Sequence, residues 1–131
     1  MGYLILDKRK SKNPKPYFGG NRMETMDNNL LLCALNEIAE ALGHSNQNPI
    51  SVSLLCLNCG ISFEEQGKIM VAFNQVLRNN AWEDLSVQLF REAMENTTEK
   101  AKDFSDDVII AFIKAFAKNR IAELYPFACT L

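Results

Sequence analysis

From Thr25 onward, apolar residues recur at intervals of three and four, and short polar breaks separate one run from the next. That period belongs to amphipathic helices and not to half-buried strands, whose period is two. Leu31, Leu35, Ile38 and Leu42 stand at i, i+4, i+7 and i+11, so they share one helical face. Gly43 follows where a C′ glycine belongs. Ile69, Phe73 and Val76, flanked by Met70 and Leu77, mark another helix. Trp82, Leu85 and Leu89, joined by Phe90, Ala93 and Met94, mark the buried face of a third. Val108, Ile109, Phe112, Ile113, Phe116, Ile121 and Leu124 cover an arc wide enough for a central position in a bundle.

Local signals divide these runs. Ser62-Phe63-Glu64-Glu65 is a capping box, with Ser62 placed to accept from the amide three residues on and Glu65 to reach back. Asn80 with Glu83 predicts a further helix start. Ser105 followed by Asp106 and Asp107 opens the last helix, where two acids suit the dipole. Asn96-Thr97-Thr98 ends one helix or restarts the next. Pro126 is expected to stop the final helix, and Tyr125 to be leaving it already. Gly67, inside a helix, costs about 1 kcal/mol against alanine and suggests a close helix contact. Residues 51–58 fit either a buried strand or a short helix, and Gly60 after them favours a capped helix.

The first 24 residues are of a different kind. Tyr3-Leu4-Ile5-Leu6 favours strand, while Pro14 and Pro16 forbid regular pairing and helix in the stretch that follows. Tyr17-Phe18 before Gly19-Gly20 fits a second short strand, so a β-hairpin or an extended arm is expected over 1–24. Six basic residues against two acids give this segment a charge of +4, whereas residues 25–131 hold eight basic and fourteen acidic residues, −6. The formal net charge of −2 describes neither part.

The expected fold class is therefore mainly α: a compact bundle of about five helices spanning residues 25–131 as one domain, with a basic N-terminal arm or hairpin over 1–24. A length of 131 residues suits a single domain. Hydrophobic residues at 47% and charged residues at 23% are ordinary for a globular chain and exclude disordered, collagenous and disulfide-dense classes. No run of about 18 apolar residues exists, so no membrane span is expected. Residues 108–117 are the most apolar stretch, and Lys114 breaks it. Secretory and lipid-anchor patterns fail, which leaves Asn96-Thr97-Thr98 without meaning as a glycosylation sequon. A cytoplasmic location is expected, or the host cytoplasm for a viral chain or an effector.

Cys56-Leu57-Asn58-Cys59 has the spacing of metal and redox sites. Zinc would need two further ligands, for which Cys33 and His44 are the candidates. A zinc ribbon brings a second close cysteine pair, and a redox site needs a neighbouring βαβ pattern; neither is present. Cys33, Cys56 and Cys129, each flanked by apolar residues, read as small buried hydrophobes. No metal and no cofactor is expected. His44, the single histidine, stands just past a helix end, where capping accounts for it. The acid pairs Glu64-Glu65, Glu83-Asp84 and Asp106-Asp107 sit at helix starts, where dipole effects account for them. No nucleophile elbow or phosphate-binding glycine motif is present, so a non-catalytic role is expected.

Residues 51–77 can be drawn as a helix-turn-helix with Gly60 in the turn, but the recognition end would carry Glu64 and Glu65, offset only by Lys68 and Arg78. Lys8, Arg9, Lys10, Lys12 and Lys15, next to Tyr17 and Phe18, are the better candidates for contact with nucleic acid or a partner. The first expectation is a small protein-interaction module — adaptor, inhibitor or assembly factor — that meets a protein partner or a second copy of itself as a homodimer. Its contacts would include exposed aromatics drawn from Tyr3, Tyr17, Phe18, Tyr125 and Phe127. The alternative is a nucleic-acid-binding regulator that uses the basic arm.

Overall fold

The computed structural model describes residues 26–131. The hairpin or arm expected over 1–24 lies outside them. The chain divides into two units, Met1–Cys33 and Ala34–Leu131, and the division falls inside the first helix. The described residues are mainly helical and contain no strand. Six α-helices follow in order: α1 Asn28–Ala41, α2 Val52–Cys59, α3 Phe63–Asn79, α4 Val87–Thr97, α5 Asp106–Asn119 and α6 Tyr125–Ala128. Short 3-10 turns at Trp82–Asp84, Glu99–Asp103 and Ala122–Leu124 join the later ones.

In the first unit, the described residues form the opening turns of α1. Asp27 starts the helix, its Oδ1 accepting from the Leu30 amide at 3.1 Å. Leu30 is exposed.

In the second unit, α1 ends at Gly43, whose φ of 97° reverses the chain. The His44 amide there donates back to the Ala39 carbonyl at 2.9 Å. Residues 51–59 resolve as helix. Ser51 caps α2 by accepting from the Leu54 amide at 3.1 Å, and Gly60 closes it at φ 75°. A left-handed cap of this kind is costly for any residue with a Cβ. The capping box is complete: Ser62 Oγ accepts from the Glu65 amide at 3.1 Å, and Glu65 Oε1 from the Ser62 amide at 2.9 Å.

The region after α3 departs from expectation. Asn80 does not start a helix; it ends one, its Nδ2 donating to the Val76 carbonyl at 2.9 Å. Residues 82–84 form a 3-10 turn, and α4 begins at Ser86, which caps the Leu89 amide. Trp82 is thereby removed from the buried helical face and stands half exposed. Thr98 does both things the sequence allowed. Its amide closes α4 on the Met94 carbonyl at 2.8 Å, while its hydroxyl accepts from the Lys100 amide.

α5 forms the centre of the core. Ile109, Ala111, Phe112, Ile113, Ala115, Phe116 and Ala117 are all buried, covering about two thirds of the circumference. A helix of that kind must be surrounded, and α5 contacts α2, α4 and α6 while α3 packs along α4. Phe73 of α3 links the layers. Its ring meets Phe90 edge-on at 5.0 Å and Phe116 at 5.3 Å. Phe90 stacks on Phe127 at 5.5 Å. Such contacts add about 0.5–1.5 kcal/mol each beyond area burial. At the end of α5, Asn119 straps α2 in place: its Oδ1 accepts from the Val52 amide at 2.7 Å and its Nδ2 donates to the Ile50 carbonyl.

Pro126 starts α6 instead of ending α5, and Tyr125 before it is helical at φ −59° and ψ −44°. α5 stops earlier, at Asn119, where the Arg120 and Ile121 amides both turn back to the Phe116 carbonyl. A proline in the first turn sacrifices no helical hydrogen bond, which makes this placement permissible. Gly67 also differs from expectation: no atom lies within 4 Å of where its Cβ would sit, so no neighbour requires a glycine there. Gly67→Ala should stabilise the fold by about 0.5–1 kcal/mol through helix propensity alone, read as a Tm higher by a few degrees in thermal unfolding.

Candidate interaction surface

The described residues leave several large apolar side chains in solvent, and their distribution is uneven. On the second-unit part of α1, Leu35 is 38% exposed, Ile38 60% and Leu42 70%. The sequence predicts that these residues share a face, and they do; the face is open to solvent instead of packed. Ala39 is the one buried residue of α1. At about 100° per residue, Leu35, Ile38 and Leu42 lie well around the helix from Asn36. Asn36 is the residue that fastens α1 to α2. Its Nδ2 donates to Asn58 Oδ1 at 3.2 Å, and Asn58 Nδ2 donates to Asn36 Oδ1 at 3.0 Å. A paired amide therefore holds one side of α1 while the apolar stripe stays on the other.

A warning of this arrangement is present in the sequence. The Leu, Ile and Ala residues of α1 spread over more than half of its circumference, with Asn29, Asn36, Glu37 and Glu40 on the rest, and so wide an apolar arc needs more than one partner. Its own unit supplies only one.

Phe63 is 89% exposed, the most open large apolar side chain among the described residues. Side chains tilt toward the helix N-terminus, so a residue in the first turn of α3 points past the end of the helix. The capping box that fixes Ser62 and Glu65 thus also aims Phe63 outward. Leu57 on α2 and Tyr125 are exposed as well, whereas Phe127, grouped with the candidate contact aromatics, belongs to the core at 7% exposure. Lys8, Arg9, Lys10, Lys12, Lys15, Tyr17 and Phe18, and Tyr3 with them, lie outside the described residues.

The cysteines divide differently from expectation. Cys56 is buried and Cys59 half-buried, but Cys33 and Cys129 are exposed, and all four are free thiols. Burial pushes the pKa of both Cys56 and Cys59 up, which keeps them as thiols and disfavours the thiolate that metal or redox chemistry needs. The Gln66 amide donates to Cys56 Sγ. His44 Nδ1 accepts from the Ile50 amide at 3.2 Å, so the loop after α1 occupies that nitrogen. Among the described residues no three His, Cys, Asp or Glu side chains gather as a metal cluster.

α2 and α3 follow one another through the turn at Gly60. Of the two acids at the start of the second helix, Glu65 serves the fold. Glu65 accepts from the Thr98 hydroxyl at 2.8 Å and from Lys100 Nζ at 2.9 Å in addition to its cap bond. Lys100 also donates to the Gly60 carbonyl at 2.6 Å. Arg91 is engaged by Asp106 at 2.6 Å and by Glu95. These cations are held by the protein's own carboxylates and carbonyls. Between α3 and α4 run two shallow hollows of 380 and 460 Å³, with Ala72, Gln75 and Thr97 common to both.

No family model, curated protein or solved structure matches this chain. The functional reading accordingly rests on its own surface.

The Glu65 network has a pH signature. The Ser62 amide, then Lys100 and Thr98, lower the Glu65 pKa from 4.5 to about 2. A carboxylate whose pKa falls on folding contributes stability that is fully present above its unfolded value and is lost as pH falls through the folded one. Glu65→Gln should therefore lower Tm at neutral pH, and the gap to the unaltered protein should close between pH 4.5 and about 2, as followed by circular dichroism melts across that range.

Proposed function

We propose that this chain is a small non-catalytic protein-interaction module, an adaptor, inhibitor or assembly factor, with the open face of α1 as its contact surface. The observation that carries the reading is the solvent-facing stripe of Leu35, Ile38 and Leu42 on a helix fastened from behind. Scattered exposed leucines are ordinary on protein surfaces, but a contiguous apolar stripe marks a contact site. Phe63 supports the same reading, because exposed aromatics are the usual anchors of protein interfaces.

The charge of +4 over residues 1–24 supports a second reading, a nucleic-acid-binding regulator acting through Lys8, Arg9, Lys10, Lys12 and Lys15. The remainder of the chain, at −6, would repel the same ligand, so such binding would be local and salt-sensitive.

One set of full-length proteins tests both. The double variant Leu35→Glu, Leu42→Glu should lose the self-association or the partner that the unaltered chain shows in co-sedimentation, with unchanged helicity. If the unaltered chain neither self-associates nor retains a partner in an α1-dependent manner, the interaction reading falls. A gel shift at two salt concentrations decides the second reading, which no binding at low salt would eliminate.

A further inference from the structure

We infer that the open edge shared by α2, α3 and the end of α5 receives an acidic segment of a partner protein, with Arg120 taking its carboxylate. This goes beyond the reading above, which concerns α1, and gives a second surface a partner of stated chemistry.

Arg120 is held by neutral groups alone. Its Nη2 donates to Ser53 Oγ at 3.4 Å and to Gln66 Oε1 at 3.4 Å, and its Nη1 donates to the Asn119 carbonyl at 3.2 Å. Gln66 is only 6% exposed, and its amide is fixed in turn by donating to Ser53 Oγ at 3.2 Å and to Cys56 Sγ. The guanidinium thus has a set direction before any ligand arrives, which lowers the ordering cost of binding. At most three of its five N–H donors are used. Among the described residues no carboxylate pairs with it. Arg91 and Lys100 differ in this respect, since Asp106 and Glu95 match the one and Glu65 the other. An oriented guanidinium with open donors is complementary to a carboxylate, and such pairs are among the stronger hydrogen bonds. It is also weakly hydrated for a cation, so a partner can cover it at a modest cost.

Apolar side chains stand beside it. Leu57 follows Ser53 by one turn of α2, and Phe63 precedes Gln66 by one turn of α3. Each therefore shares a helix face with a residue that holds Arg120, and both lie on the Gly60 side of the Ser53–Gln66 pair. Leu57 is 55% exposed and Phe63 is the most open side chain of its class. An arginine close to an exposed aromatic ring is a common composition for the energetic centre of a protein interface.

The same neighbourhood selects one carboxylate instead of many. Glu64 and Glu65 follow Phe63 directly, and residues 25–131 carry a charge of −6. A polyanion such as nucleic acid would meet these acids and be repelled. A single Asp or Glu flanked by apolar residues meets Arg120 with its charge and Leu57 and Phe63 with its neighbours.

The test is fluorescence polarisation of the full chain with an array of short synthetic peptides, each with Asp, Glu, Asn or Gln set between leucines or phenylalanines. Peptides with a carboxylate should bind about tenfold or more tightly than their amide counterparts. Arg120→Gln should abolish that preference, and Phe63→Ser should weaken every peptide that binds. Lys102→Gln makes the same change of charge at a lysine paired with Glu99 and should leave binding unchanged. If Arg120→Gln lowers helicity, Arg120→Lys replaces it; this variant keeps the charge, loses the planar fork and should reduce the preference. The inference is overturned if no peptide binds, if Asp and Asn peptides bind alike, or if the preference survives the change at Arg120. Binding that ignores Arg120 but is lost in the Leu35→Glu, Leu42→Glu protein also overturns it and leaves the reading of α1 standing.

Discussion

The rest of the second unit depends on the burial of α5. Its apolar arc covers about two thirds of the circle, so no single neighbouring helix can satisfy it. α2, α4 and α6 each take a part, and α3 joins through Phe73, whose ring meets both Phe116 and Phe90. The hydrophobic contribution of such a cluster is large because the aromatic side chains bury the greatest areas and their edges and faces find complementary partners. The Asn119 strap then couples the end of that helix to the beginning of α2, so the core and one helix start share a residue.

Legibility in the sequence followed the range of the interaction. Signals that act within one turn were readable: the capping box of Ser62 and Glu65, the cap at Ser105, and the left-handed glycines Gly43 and Gly60. Their chemistry is local, so residue type and spacing suffice. Readings that needed a neighbour's position failed. Asn80 has a side chain suited to either helix end, and Val76 rather than Glu83 took it. Trp82 fits a buried helical face by period, but the 3-10 turn that contains it shifts the register. Pro126 can end a helix or begin one, and the early stop at Asn119 decided the matter. Gly67 shows the same limit, since only surrounding atoms tell whether a glycine is required.

The candidate surface was half legible. Period alone grouped Leu35, Ile38 and Leu42 on one face, but period says only that residues point together and not toward what. The helix has apolar residues on two sides, and Asn36 with Asn58 determined which side its own unit received. Phe63 escaped detection because its neighbours in sequence are capping residues, which draw attention to backbone chemistry and away from the ring between them.

The Glu65 carboxylate has a consequence for how the molecule opens. Its two oxygens join the turn at residues 60–65 to residues 98–100, and Lys100 closes the circuit on the Gly60 carbonyl. Two loops more than thirty residues apart in sequence thus share one set of partners. Neither can leave without stranding donors on the other, so they behave as one cooperative unit in local unfolding. Thr98 also closes α4, so fraying at the end of that helix is tied to a turn that it does not adjoin in the chain.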